Sequence, residues 1–177
     1  MDRPDRSIVL IGMMGAGKSS VGHCLQRRTE LDLFDTDDAV SEKLGLSIPE
    51  IFERLGEEKF RQTETDVLRE FASTKPTIIV TGGGTILRQE NIELLKQRGI
   101  VVWLDADAET LFERATRPGN RPLLKTQNPH ARFSALLHQR SPLYERAADV
   151  RIDTSTMNHE QVADVILTRI EELAAAR

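Results

Sequence analysis

A chain of 177 residues is long enough for one α/β domain with a sizeable core and too short for several. Its 28 acidic against 24 basic residues leave a formal net charge of −4, which excludes a general attraction to nucleic acid or to an anionic membrane. A single cysteine excludes an internal disulfide, and the lack of an 18-residue apolar run or a signal-like start makes a reducing cytoplasm the expected compartment.

The run "SIVLI" (7–11) is short, apolar and β-branched and reads as a buried strand. It feeds the glycine-rich stretch "GMMGAGKSS" (12–20) and then a helical pattern over 17–28, with Val21, Cys24 and Leu25 turned inward and Cys24 as a small core residue. "DLF" (32–34) is a second strand, followed by a helix capped by Asp38. "SIPE" opens a helix over 48–55 with Ser47 as N-cap and Glu50 three residues on, and a longer pattern covers 57–72. "TIIVT" (77–81), a helix over 89–98, "VVWL" (101–104) and a helix over 108–116 continue the alternation. The segment 117–132 is rich in proline and arginine with little periodicity, the composition of a mobile surface loop. A helical pattern over 130–139, the strand "VRID" (150–153) and a helix over 158–174, with Asn158 as cap and Gln161 at its third position, complete the chain. The alternation predicts an α/β domain with a parallel sheet and right-handed crossovers.

Gly12, four residues, then Gly17, Lys18 and Ser19 form the phosphate loop G-x-x-x-x-G-K-[ST] between a strand and a helix. Glycines let successive backbone N–H groups turn inward to cradle phosphate oxygens, Lys18 spans the β- and γ-phosphates, and the Ser19 hydroxyl ligates Mg²⁺. Residues Gly12, Met13, Met14, Gly15, Ala16, Gly17, Lys18, Ser19 and Ser20 are therefore the expected ATP-binding segment. The glycines do not fall in the dinucleotide pattern, and neither a guanine-reading "NKxD" nor an "LSGGQ"-like stretch occurs. A small-molecule phosphotransferase leads, with a non-catalytic nucleotide-binding module as the alternative from another class.

Asp35 and Asp37 in "LFDTDDAV" fall at the end of the second strand, the edge facing the ligand crevice, with alternation setting both on one side. One carboxylate near Mg²⁺ and one near an acceptor hydroxyl is what phosphoryl transfer asks for, although Asp37 also reads as a helix cap. "TGGGT" (81–85) ends the third strand, where glycines allow close approach of a ligand or simply a tight turn. Arg61 and Glu64 project together at i and i+3, a spacing that taken alone describes an exposed ion pair.

Taken in order, "GMMGAGKS", "DTD", "FRQTE", "GGG", "RPLL" and "RSPLYE" give the chain a resemblance to the shikimate kinase family over essentially its whole length. The resemblance implies a three-layer P-loop kinase fold with a five-stranded parallel sheet in one domain spanning 1–177, an acceptor-binding region over 35–64 and a mobile lid over about 114–128. It implies an ATP- and Mg²⁺-dependent transfer to the 3-hydroxyl of shikimate by a monomer, in the route to aromatic amino acids. Asp37 matches the family carboxylate that serves as base, and Asp35 the one reaching Mg²⁺ through water. Arg61 and Arg140 match the grips on the shikimate carboxylate, with Glu64 orienting Arg61 and Gly82, Gly83 and Gly84 against the ring. Arg121 matches the lid arginine that meets the transferring phosphate, and Arg114 the residue that packs on adenine. A gluconate or nucleotide kinase of the same fold is the rival within the class. The chain departs from the family at 155–159, where "STMNH" replaces a loop that often carries proline and His159 reads as the first helical residue.

Overall fold

Strand β1 (Ser7–Ile11) is buried along its whole length because it has a partner on either edge and helices over both faces. The computed structural model describes residues 6–117 and 122–175. The other strands are β2 (Asp32–Asp35), β3 (Thr77–Val80), β4 (Gly99–Asp105) and β5 (Val150–Asp153). Together they make a five-stranded sheet of order β2-β3-β1-β4-β5 in which every neighbouring pair is parallel.

Among the described residues eight α-helices connect and cover these strands: α1 (Lys18–Thr29), α2 (Thr36–Leu44), α3 (Ile48–Arg54), α4 (Gly56–Glu70), α5 (Gln89–Arg98), α6 (Ala108–Thr116), α7 (Pro129–Ala147) and α8 (His159–Ala175). From β1 the chain moves outward to β2, then returns through β3 to β4 and β5. Right-handed crossovers in opposite directions lie on opposite faces, which puts α1 on one side and α5 and α7 on the other. Helix α8 closes the layer beside α1, where Arg28 pairs with Glu160 and Asp164. The direction of travel reverses beside β1, so the carboxyl ends of β1, β2 and β3 open a crevice.

The expected start signals hold at two helices. Ser47 and Glu50 form a reciprocal cap on α3, and Asn158 and Gln161 exchange backbone bonds of 2.9 Å at the start of α8. At α2 the expectation is corrected: Asp35, not Asp38, is the cap, its carboxylate accepting from the Asp37 N–H at 2.9 Å. Strand β2 thus ends at Asp35, and Asp37 lies in the first turn of α2 instead of further along the strand.

Helix α7 runs eight residues beyond the expected end at 139, straight through Pro142. Proline removes one N–H and frees a carbonyl one turn earlier, but Pro142 is on the exposed side, where water can satisfy that group. The opposite side of α7 buries Phe133, Leu136, Arg140, Tyr144 and Ala147, and this packing carries the helix past the break. The irregular segment expected over 117–132 is correspondingly shorter. A 3₁₀ turn spans Pro122–Leu124 with Leu124 buried, and α7 has begun by Pro129.

A second, smaller apolar cluster of Val40, Ile51, Phe60 and Val67 ties α2, α3 and α4 together apart from the main core. Among the described residues no helix is long and apolar enough to cross a membrane.

Candidate active site

The phosphate loop leaves β1 through backbone that side chains rarely adopt. Gly12 and Gly15 have φ of 146° and 88°, and a Cβ at either would overlap a backbone carbonyl, of Leu104 or of Leu111. The loop can therefore pack onto the β4–α6 region only as glycine. The Lys18 ammonium donates to the carbonyls of Gly12 at 2.8 Å and Met13 at 3.0 Å, closing the loop on itself. Ser19 donates to Asp35 at 3.5 Å, which brings a hydroxyl and a carboxylate, both hard oxygen donors, to one point. Burial raises the Asp35 carboxyl above its ordinary value.

Two cavities meet at this crevice. The more polar one is lined by Gly15, Gly17, Lys18, Ser19, Ser20, Asp35, Thr81, Arg114, Arg117 and His159. Arg114 is fixed there by bonds to the Thr154 hydroxyl at 3.1 Å and carbonyl at 3.0 Å. His159 is both the first residue of α8 and a wall of this cavity, its Nε2 lying 3.2 Å from where a Gly17 Cβ would stand.

The second cavity combines an apolar wall of Ile48, Phe52, Phe60, Pro122 and Leu123 with Arg61, Gly84 and Arg140. Met14, Asp37, Gly82 and Gly83 line both spaces. Asp37 is thus at the common boundary, and its Oδ1 is a buried acceptor without a hydrogen-bond partner among the described residues. Burial, reinforced by the nearby charges of Glu64 and Asp35, pushes its carboxyl up to about 6.

Arg61 and Glu64 are not the exposed pair that their spacing suggests. The guanidinium is 8% exposed, the carboxylate 0%, and Arg61 Nη1 donates to Glu64 Oε2 at 2.9 Å. Glu64 is held in turn by the Thr85 hydroxyl, and Asn91 donates to the Thr85 carbonyl at 3.0 Å. Gly84 lies face-on against Arg61, so that a Cβ there would run into the guanidinium. Gly82 is equally constrained, since its Cβ would lie 2.7 Å from Asp37 Oδ1 and 2.8 Å from Glu64 Oε1.

On the other side, Arg140 donates from Nη1 to the Gly83 carbonyl at 3.2 Å, and Tyr144 donates to the same carbonyl at 2.5 Å. Arg140 is 2% exposed with its Nε unpartnered among the described residues, and desolvation pushes its guanidinium below the usual range. A buried cation with a spare donor and a carboxylate with a spare buried acceptor line one cavity, which suits a polar, anionic small molecule.

Sequence reasoning missed Tyr144, Thr85 and Glu57, which bond to Gly83, Glu64 and Arg61 behind this pocket. Tyr144 follows Arg140 by one helical turn and Glu57 precedes Arg61 by one, so i,i+4 spacing was the available signal in both cases. Arg121 lies outside the described residues, as does the part of the expected lid over 118–121.

The family model described as "Shikimate kinase" matches residues 14–171. A shikimate kinase from Thermodesulfovibrio yellowstonii is 41% identical over 169 residues, covering 96% of this chain and 97% of that one. Among solved structures, a shikimate kinase from Acinetobacter baumannii in complex with shikimate aligns with a TM-score of 0.89 at 42% identity, over 94% of this chain and 93% of that one. The shikimate kinase of Aquifex aeolicus vf5 aligns with a TM-score of 0.82 at 36% identity, over 95% and 98%.

Proposed function

This chain belongs to the shikimate kinase family, and from that premise we propose that it transfers the γ-phosphoryl group of ATP to the 3-hydroxyl of shikimate, with the roles set out below. The observation that carries the assignment of roles is the wall shared by the two cavities, in which Asp37 faces both the phosphate loop and the arginine-lined pocket.

ATP phosphates lie along the N–H groups of the loop at the start of α1, with Lys18 turned to the β- and γ-oxygens. Ser19 and Asp35 offer the oxygen donors that suit Mg²⁺, which when bound supplies neutralisation of the phosphate charge. Shikimate lays its ring on the apolar wall and its carboxylate on the guanidinium forks of Arg61 and Arg140. Asp37 accepts the proton of the attacking hydroxyl while the oxygen–phosphorus bond forms and the bond to ADP breaks. Glu64 fixes the plane of Arg61, and Tyr144 fixes the Gly83 carbonyl to which Arg140 is bonded. Arg114 and His159 flank the base of the nucleotide, and Arg121 meets the transferring group from the lid. Operation as a cytoplasmic monomer belongs to the same proposal.

The acceptor half is tested by Arg61→Lys, which keeps the charge and loses the planar fork. The KM for shikimate should rise by roughly tenfold, the scale of one to two kcal/mol for a charged hydrogen bond. An unchanged KM would return the acceptor question to a gluconate-like kinase.

Gly84→Ala makes the same point by displacement. The new methyl group meets the Arg61 guanidinium and not the backbone, so Arg61 is pushed out of place and Tm should fall as its buried pairing with Glu64 is disturbed, in a chain that still folds. Misplacement of a binding group by about 1 Å can cost on the order of a hundredfold, and kcat/KM for shikimate should fall on that scale. Normal kcat/KM in a folded Gly84→Ala protein would show that Arg61 does not hold the acceptor.

A further inference from the structure

The guanidinium of Arg61 has two carboxylates on it, and they are held in different ways. Glu64 is fully buried and takes one bond of 2.9 Å from Nη1. Glu57 is 44% exposed in its side chain, and a single oxygen, Oε1, receives both Nε at 3.3 Å and Nη2 at 3.2 Å. The Nε–Nη2 edge is one of the two edges by which an arginine grips a carboxylate through parallel bonds. Glu57 thus occupies a carboxylate-binding edge of the cavity residue Arg61 with one oxygen and long bonds, from the first turn of α4. Its charge also acts on Arg140, partly offsetting the effect of burial on that guanidinium, so it is near both arginines of the pocket.

We infer that Glu57 is a specificity-determining residue of the acceptor site: its carboxylate holds the Nε–Nη2 edge of Arg61, and an acceptor reaches that edge only by displacing it. This rests on the reading of Arg61 and Arg140 as the grip on the acceptor carboxylate. A neutral polyol offers Arg61 less than Glu57 already gives it and leaves the pair closed. A carboxylate fixed on a ring that also packs against Phe52 and Phe60 brings two oxygens and apolar contact, and it wins the exchange. Such displacement is inexpensive, because partly exposed ion pairs contribute little. Glu58, the next residue, carries the same charge but turns away to Arg88 at 2.6 Å, which makes it the natural control.

Direct titration of shikimate by calorimetry, without nucleotide, tests this in the full chain. Glu57→Gln should tighten the Kd by about two- to fivefold, the scale of an exposed ion pair, and Glu58→Gln should leave it where it was. An unchanged or weakened Kd in Glu57→Gln, or equal tightening in both variants, overturns the inference. Arg61→Ala separates the two levels of the argument. If it abolishes shikimate binding while Glu57→Gln gives no gain, only the displacement is wrong. If it binds shikimate as the unaltered chain does, the acceptor grip is wrong and the displacement falls with it.

Discussion

Asp37→Asn is expected to lower kcat by about a hundredfold or more, the range of a lost general base, while ATP binding persists. The substitution keeps the shape of the side chain and removes its capacity to take a proton. The pH profile gives a second reading of the same role. Burial holds the Asp37 carboxyl at about 6, so kcat/KM of the unaltered enzyme should fall as pH drops through about 6, and the Asn variant should lack that limb. Stability should move in the opposite sense. A carboxyl with a folded pKa above its unfolded value weakens the fold where it is ionised: the penalty is absent below about 4, grows between about 4 and 6, and is complete above. Asp37→Asn should therefore be more stable than the unaltered chain at pH 7 by on the order of 1–3 kcal/mol, with the difference vanishing in acid. A variant that is slower and more stable at neutral pH identifies a residue kept for chemistry at the cost of the fold. Near-normal kcat at pH 7 would reduce Asp37 to a side chain in the first turn of α2.

Lys18→Met should be the other large loss, with kcat down on the order of a thousandfold, at the upper end of what one preorganised charge-stabilising donor supplies. Methionine keeps the length of the stem and removes the ammonium. Shikimate binding measured without nucleotide should be unaffected, because Lys18 lines only the polar cavity. That separation distinguishes loss of phosphate stabilisation from collapse of the site. The Nζ bonds to the Gly12 and Met13 carbonyls also hold the loop closed, so Lys18→Met should bind ADP more weakly than Asp37→Asn does. A Lys18→Met protein with near-normal kcat would remove the phosphate loop from the reaction.

What the sequence made legible was local. The phosphate loop, the β-branched strands and the caps at Ser47 and Asn158 depend on residues a few positions apart, and pattern reading reaches them. The reversed assignment at α2 shows where that reach stops, since Asp35 ends a strand and caps a helix at once and the neighbouring Asp38 is chemically identical. The end of α7 was hidden for a related reason. Pro142 is a local stop signal, overridden by tertiary burial of Arg140 and Tyr144 on the far side of the helix. The acceptor pocket is the least local part of all. Nothing in "EEKFRQTE" says that Arg61 and Glu64 are buried, because the glycines at 82 and 84 that press on them come from the turn after β3. Assignment of Arg140 likewise came from family resemblance and not from its spacing, since its partners are the Gly83 carbonyl and the shared cavity wall.

ATP cleavage in this chain is expected to be coupled to shikimate through the wall that the two cavities share. The most direct test follows ADP release by the purified protein with Mg²⁺ and ATP against shikimate, gluconate and no acceptor, with the product identified by phosphorus NMR. ADP is expected in equal amount with shikimate 3-phosphate, with little release with gluconate or without acceptor, and with loss of the shikimate-dependent signal in Asp37→Asn. ADP release that is indifferent to shikimate, or that follows gluconate instead, would contradict it.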